Sequence, residues 1–94
     1  MTINEAIAAI FNNTGNMLEI LGENPFKIRA YKNASATIKS LDRDLSELAK
    51  NNQLLDIKGI GKDLAKKINE FISTGRIEYY DELKSRVPEE LLAI

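Results

Sequence analysis

Apolar residues recur three or four positions apart along nearly the whole chain, and no segment alternates with period two over a useful length. That spacing is helical and argues against a sheet. Ile3, Ile7, Ile10, Phe11, Leu18 and Leu21 define a first helix. Thr2 followed by Glu5 is a capping box at its start, and Gly22 is a plausible stop. Gly15 lies inside this helix at a cost of about 1 kcal/mol relative to Ala. Asn24-Pro25 restarts the chain, since Asn caps and Pro is favoured at the first helical position. Phe26, Ala30, Ala34, Ile38 and Leu41 then predict a second amphipathic helix over about 25–41. Asp42 or Asp44 can cap a short third helix carrying Leu45, Leu48 and Ala49, which Asn51-Asn52 ends. A fourth helix is expected from about Lys62 to Thr74, with Leu64, Ala65, Ile68, Phe71 and Ile72 on one face and Gly75 as its stop. A fifth holds Tyr79, Tyr80, Leu83 and Val87 before Pro88. Residues 88–94 look like the first turns of another helix: either the cut end of a longer protein, or a terminal helix docking on the core. The expected architecture is one compact all-α domain, 1–94, of four to five helices.

Composition narrows the chemistry. Ninety-four residues, 44% hydrophobic but only 6% aromatic, suit one small domain with an aliphatic core. Cysteine and histidine are both absent. Disulfides, Cys/His zinc sites, Ser-His-Asp triads and imidazole catalysis are thereby excluded. No apolar run reaches the roughly 18 residues of a membrane span, and Met1-Thr2-Ile3-Asn4-Glu5 does not open a secretory signal. A cytoplasmic protein is expected.

The net charge of −1 excludes a uniformly basic nucleic-acid binder. Local charge differs. Lys27, Arg29, Lys32 and Lys39 make residues 27–39 a stretch of +4 with no acid. Lys58, Lys62, Lys66 and Lys67 against Asp56 and Asp63 give residues 55–67 a charge of +2. Two basic patches on an acidic chain point to a local anion site.

The second patch contains the most informative pattern, Leu55-x-Ile57-x-Gly59-Ile60-Gly61-x-x-x-Ala65-x-x-Ile68. A Gly-hydrophobe-Gly turn between helices permits positive φ and close approach to a ligand. The helix that follows begins with free N–H groups and the positive end of its dipole, where a phosphate can sit. Ile60 is expected to point inward and fix the hairpin, while Lys58, Lys62 and Lys66 supply attraction. The pattern resembles the helix-hairpin-helix motif, about residues 54–75, which grips a nucleic-acid backbone without reading sequence. It is neither a dinucleotide fingerprint nor a P-loop, because no strand precedes it and no Gly-Lys-Ser/Thr is present. The plainer alternative is a glycine turn that serves only helix packing.

Asn24-Pro25-Phe26-Lys27-Ile28-Arg29-Ala30-Tyr31, then the hairpin, then Phe71-Ile72-Ser73-Thr74-Gly75-Arg76, resembles the N-terminal eight-kilodalton domain of X-family DNA polymerases, closest to the bacterial type. The likeness covers nearly the whole chain in order and spacing. It implies an all-α domain that binds the 5′-phosphate side of a gap in DNA during base excision repair, as a monomer, with nucleoid association. It also implies polymerase domains C-terminal to this one. The three polymerase carboxylates are not among these residues, so this segment carries no DNA-synthesis site.

The resemblance assigns residues. Lys27 falls where the family contacts the 5′-phosphate, Tyr31 lines the same pocket, and Phe26 falls at a position stacking near the template. Their alternative role, for Phe26 and Tyr31, is core packing. Lys58, Gly59, Gly61, Lys62 and Lys66 belong to the hairpin's DNA face, with Arg76 preserving charge nearby. Lys67 matches the lysine that forms a Schiff base in animal members and gives them 5′-deoxyribose phosphate lyase activity. That chemistry needs a neutral amine beside a phosphate. Partial burial at the edge of the apolar stripe would favour it. Asp63 opposes it: it stands where animal members have a phosphate-binding lysine, four residues before Lys67, the favourable order for a helical ion pair. Tyr79 also replaces a lysine of the animal members. No cofactor is required, although the resemblance implies that backbone carbonyls of Leu55, Ile57 and Ile60 can hold Na+ or K+. A separate possibility, consistent with a pI near 5.4, is a helical protein-interaction module whose hairpin no longer binds DNA strongly.

Overall fold

The computed structural model describes residues 2–92, apart from the side chains of Glu89 and Leu92. The described residues form six α-helices in order: α1 (Ile3–Ile20), α2 (Pro25–Ser40), α3 (Leu45–Lys50), α4 (Lys62–Thr74), α5 (Glu78–Arg86) and the four-residue α6 (Glu89–Leu92). A 3-10 turn, Leu54–Asp56, precedes the hairpin. No strand occurs among the described residues, and the all-α expectation holds. The predicted terminal helix is present as α6, while residues 93–94 lie outside the described residues. No helix is long and apolar enough to cross a membrane among the described residues.

Local sequence explains the helix starts. Thr2 Oγ1 accepts from the Glu5 N–H, and Glu5 Oε1 accepts from the Thr2 N–H, both at 3.0 Å. Asn24 Oδ1 accepts from the Phe26 N–H at 2.8 Å, with Pro25 following as the first helical residue. Asp44, rather than Asp42, caps α3. Two further caps come from distant residues. Asn4 Oδ1 accepts from the Leu45 N–H at 2.9 Å, and its Nδ2 donates to the Arg43 carbonyl at 2.7 Å. Glu70 Oε2 accepts from the Glu78 N–H at 2.9 Å. These caps tie α3 to α1 and α5 to α4.

The long helices α1 and α2 pack antiparallel. Their contacts run in opposite sequence directions: Ala8 with Ser35, Gly15 with Lys32, Glu19 with Lys32. The Ser35 hydroxyl donates to the Ala8 carbonyl at 2.6 Å, satisfying a buried polar group. At Gly15 an added Cβ would lie 2.8 Å from Lys32 Cγ, so the glycine permits the close approach of the two helices. The core joins Ile7, Phe11, Leu18, Ile38, Leu45, Ile68 and Leu83 from α1 to α5.

The predicted face of α2 is corrected. Tyr31, Ala34, Ser35 and Ile38 are buried, whereas Ala30 is exposed and Phe26 is 76% exposed. A strict four-residue spacing overshoots each turn by about 40°, so a stripe running from Phe26 to Ile38 drifts off the packed face. Core packing is therefore excluded for Phe26 and realised for Tyr31.

Candidate nucleic-acid interface

The hairpin is built as its spacing requires, with one difference. Ile57 and Ile60 are buried, and the Ile60 N–H donates to the Ile57 carbonyl at 3.0 Å, closing the turn between them. Gly59 adopts φ +86°, which only glycine takes without strain. Gly61 does not: its φ is −88° and its ψ −173°, and an added Cβ there would meet nothing within 4 Å. Gly61 instead leaves bare backbone at the start of α4, which has no side-chain cap. Lys58, Lys62 and Lys66 are exposed around this turn and make no ion pair among the described residues. Unpaired cations, an uncapped helix start and a bare turn together suit an anionic backbone.

A second cluster forms where α2, α4 and α5 meet. Lys27 Nζ lies 5.0 Å from the centroid of the Tyr79 ring, and Lys67 Nζ lies 4.9 Å from it. Both distances are within cation–π range. Tyr79 stacks on the buried Tyr31 with ring centroids 6.2 Å apart, and Tyr31 meets Phe11 edge-on at 5.5 Å. The Tyr31 hydroxyl is buried and has no hydrogen-bond partner among the described residues. Burial pushes its pKa well up, with Asp63 and Tyr79 adding to the shift. Tyr31 thus supports the cluster from below, and Tyr79 presents the aromatic surface. Polar interaction with the Tyr79 side chain raises the Lys27 pKa, more than desolvation lowers it, and the carboxylates of Glu23 and Asp63 add to the rise.

Lys67 is held by the pair that its spacing predicts. Its ammonium donates to both Asp63 oxygens at 2.9 Å. The Lys67 side chain is 15% exposed and that of Asp63 72%. Arg76 is not brought into this cluster. It donates to Asp81 Oδ2 through Nε at 3.0 Å and through Nη2 at 2.6 Å, beside Glu70, Glu78 and Glu82. Asp81 raises its pKa and neutralises its charge locally. Phe26 stands clear of the core with the Arg29 guanidinium 6.0 Å from its ring. Arg29 joins this surface only through the structure, although its place in the +4 stretch signals it. Two concavities lie elsewhere, one along Asn4, Glu5, Lys39 and Asp42, another along Met17, Ile20 and Tyr80. An open surface that meets a nucleic-acid backbone needs no enclosed cavity.

A helix-hairpin-helix domain profile matches residues 2–77. This chain belongs to the helix-hairpin-helix domain family. It is also 35% identical over 77 residues to the DNA polymerase/3'-5' exonuclease PolX of Bacillus subtilis (strain 168). The match covers 82% of this chain and 13% of that protein, so the chain spans a small part of its relative's length. Tyr79 and the Lys67–Asp63 pair lie beyond and within the family match respectively, and the structure joins them in one cluster.

Proposed function

We propose that this domain binds DNA at gaps, as the N-terminal part of a repair polymerase of the X family in the bacterial cytoplasm. The hairpin backbone, with Lys58, Lys62 and Lys66, holds a duplex phosphate run, and Lys27 and Lys67 hold the 5′-phosphate of the gap. The observation that carries this reading is that two ammonium groups from different helices converge on one ring, each about 5 Å from its centroid. Like charges gathered this way repel, and a phosphate between them relieves the repulsion. Exposed Phe26, with Arg29 beside it, supplies a stacking surface for a base. The likeness to a DNA polymerase supports the same reading.

Two finer assignments follow from the family likeness. The carbonyls of Leu55 and Ile60 accept no backbone hydrogen bond among the described residues, and that of Ile57 accepts one, which leaves it a second lone pair. These oxygens have lone pairs available to Na+ or K+, which would neutralise charge between the turn and a phosphate. Lys67 is the amine for lyase chemistry: it would add to the C1′ aldehyde of an abasic sugar, lose water to form an imine, and allow C2′ deprotonation with expulsion of the C3′ phosphate. Attack requires the nitrogen lone pair, so the Asp63 contact must first open.

Binding to gapped duplexes with and without a 5′-phosphate tests the site. Lys27→Ala should weaken binding to the phosphorylated gap more than to the unphosphorylated one. Equal loss on both would reduce Lys27 to a general positive charge. A protein-interaction module, favoured by the net charge of −1, would show no salt-dependent DNA binding at all.

A further inference from the structure

Asp63 already occupies the Lys67 ammonium, the group proposed to contact the 5′-phosphate. Both its oxygens accept from the Lys67 ammonium, and the carboxylate itself is mostly in water. The lysine is held in the protein surface while its partner is free to leave. Asp63 also acts on Lys27 through its field, so one carboxylate partly balances both cations. We propose that Asp63 is a resident competitor that sets a charge threshold on this site: a dianionic terminal phosphomonoester displaces it from Lys67, and a monoanionic phosphodiester does not. This rests on the reading of Lys27 and Lys67 as the 5′-phosphate site.

The physical basis is an exchange of charges. Replacing a carboxylate by a phosphodiester leaves the charge around the two lysines unchanged, while the incoming group must still be ordered. A terminal phosphate carries about −1.5 to −2 at pH 7, because its second pKa is near 6. It therefore brings extra negative charge between two cations and gains where the diester only breaks even. The domain would reject the many internal phosphates of DNA at this position and keep it for strand ends. A lysine at residue 63 would give more affinity and no such threshold.

The test uses three gapped duplexes of one sequence, ending in a 5′-phosphate, the methyl ester of that phosphate, or a 5′-hydroxyl. The ester keeps the shape and loses one charge. The unmodified domain should prefer the phosphate and bind the ester and the hydroxyl alike. Asp63→Asn should bind the ester about tenfold or more tighter than the hydroxyl, the size expected of a charge-assisted hydrogen bond. Asp56→Asn, which removes one exposed negative charge without touching Lys67, should tighten all three without altering their order. Asp63→Ser repeats the measurement should Asn disturb the first turn of α4. The threshold is overturned if the unmodified domain already favours the ester over the hydroxyl, or if neither Asp63 variant gains on the ester. Equal binding of phosphate and hydroxyl by the unmodified domain would instead overturn the site itself.

Discussion

Tyr79 rests on Tyr31, with planes 18° from parallel and centroids 6.2 Å apart, and both site lysines rest on Tyr79. One aromatic ring thus gathers two cations from different helices. Tyr79→Phe should keep the ring contacts and lower the Lys27 pKa toward its ordinary value, because the phenol that raises it is gone. Tyr79→Leu should also weaken binding to the phosphorylated gap by about 1 kcal/mol, roughly fivefold, as two cation–π contacts are lost. Lysine-selective NMR titration and gap-binding assays measure the two effects. An unchanged Lys27 titration in Tyr79→Phe would remove the phenol from the site.

Tyr31 lies beneath this surface with its hydroxyl buried and unpartnered. Leaving such a group unsatisfied costs roughly 1–3 kcal/mol, so Tyr31→Phe should stabilise the fold by about 1 kcal/mol in urea unfolding. Phosphate affinity should stay within about twofold, since the hydroxyl does not reach the surface. A large loss of affinity would show that the hydroxyl turns outward when DNA binds.

Gly15 sets the approach of α1 to α2. Ala is the better helix former by about 1 kcal/mol, which favours Gly15→Ala. Against that, the new Cβ would lie 2.8 Å from Lys32 Cγ and 3.4 Å from the Ile28 carbonyl oxygen. Overpacking of this kind costs about 1–3 kcal/mol, so the variant should be destabilised by about 1 kcal/mol. It should also lose the 3.3 Å contact between Lys32 and Glu19. A rise in melting temperature would mean that Lys32 simply moves aside.

Which parts of this protein could be read in its sequence follows from the range of the interactions. The capping box, the glycine turn and the Asp63–Lys67 pair involve residues within a few positions of each other; the first and last stand as the local pattern implies, and the turn does so at Gly59 but not at Gly61. The buried face of α2 depends on where α1 lies, which is why Phe26 and Tyr31 looked alike in sequence and are opposite in exposure. The cap of α3 by Asn4 spans 41 residues, and no local rule points to it. Tyr79 lies 12 positions beyond Lys67 and 52 beyond Lys27. Only the packing of α5, anchored by Ile77 and Leu83, places its ring under both.

The start of α1 should respond to acid. Hydrogen bonds from the Thr2 backbone and side chain lower the Glu5 pKa below its ordinary value. A depressed carboxyl pKa stabilises the fold above the unfolded pKa, and that stability is lost as pH falls through the folded pKa. Glu5→Ala should therefore lower the melting temperature at pH 7, and the difference from the unmodified domain should shrink on acidification into the carboxylate range. A difference that is the same at both ends of that titration would assign the effect to helix propensity alone.

The last test concerns Lys67 as a nucleophile. In the structure its ammonium donates to both Asp63 oxygens, and no lone pair is free to attack an aldehyde. Asp63→Lys removes that acceptor and places a like charge four residues before Lys67. Two consequences should appear together. Phosphate binding should strengthen and its salt dependence steepen, because an anion has become a cation beside the DNA. The Lys67 amine should be freed for attack, since the acceptor that occupies it is gone and a repulsive charge stands in its place. Borohydride trapping on an abasic 5′-deoxyribose phosphate should then increase, and adding Lys67→Ala should abolish the increase. Tighter binding without any trapped adduct would leave Lys67 as a phosphate contact and remove the lyase assignment, while the 5′-phosphate site itself would stand.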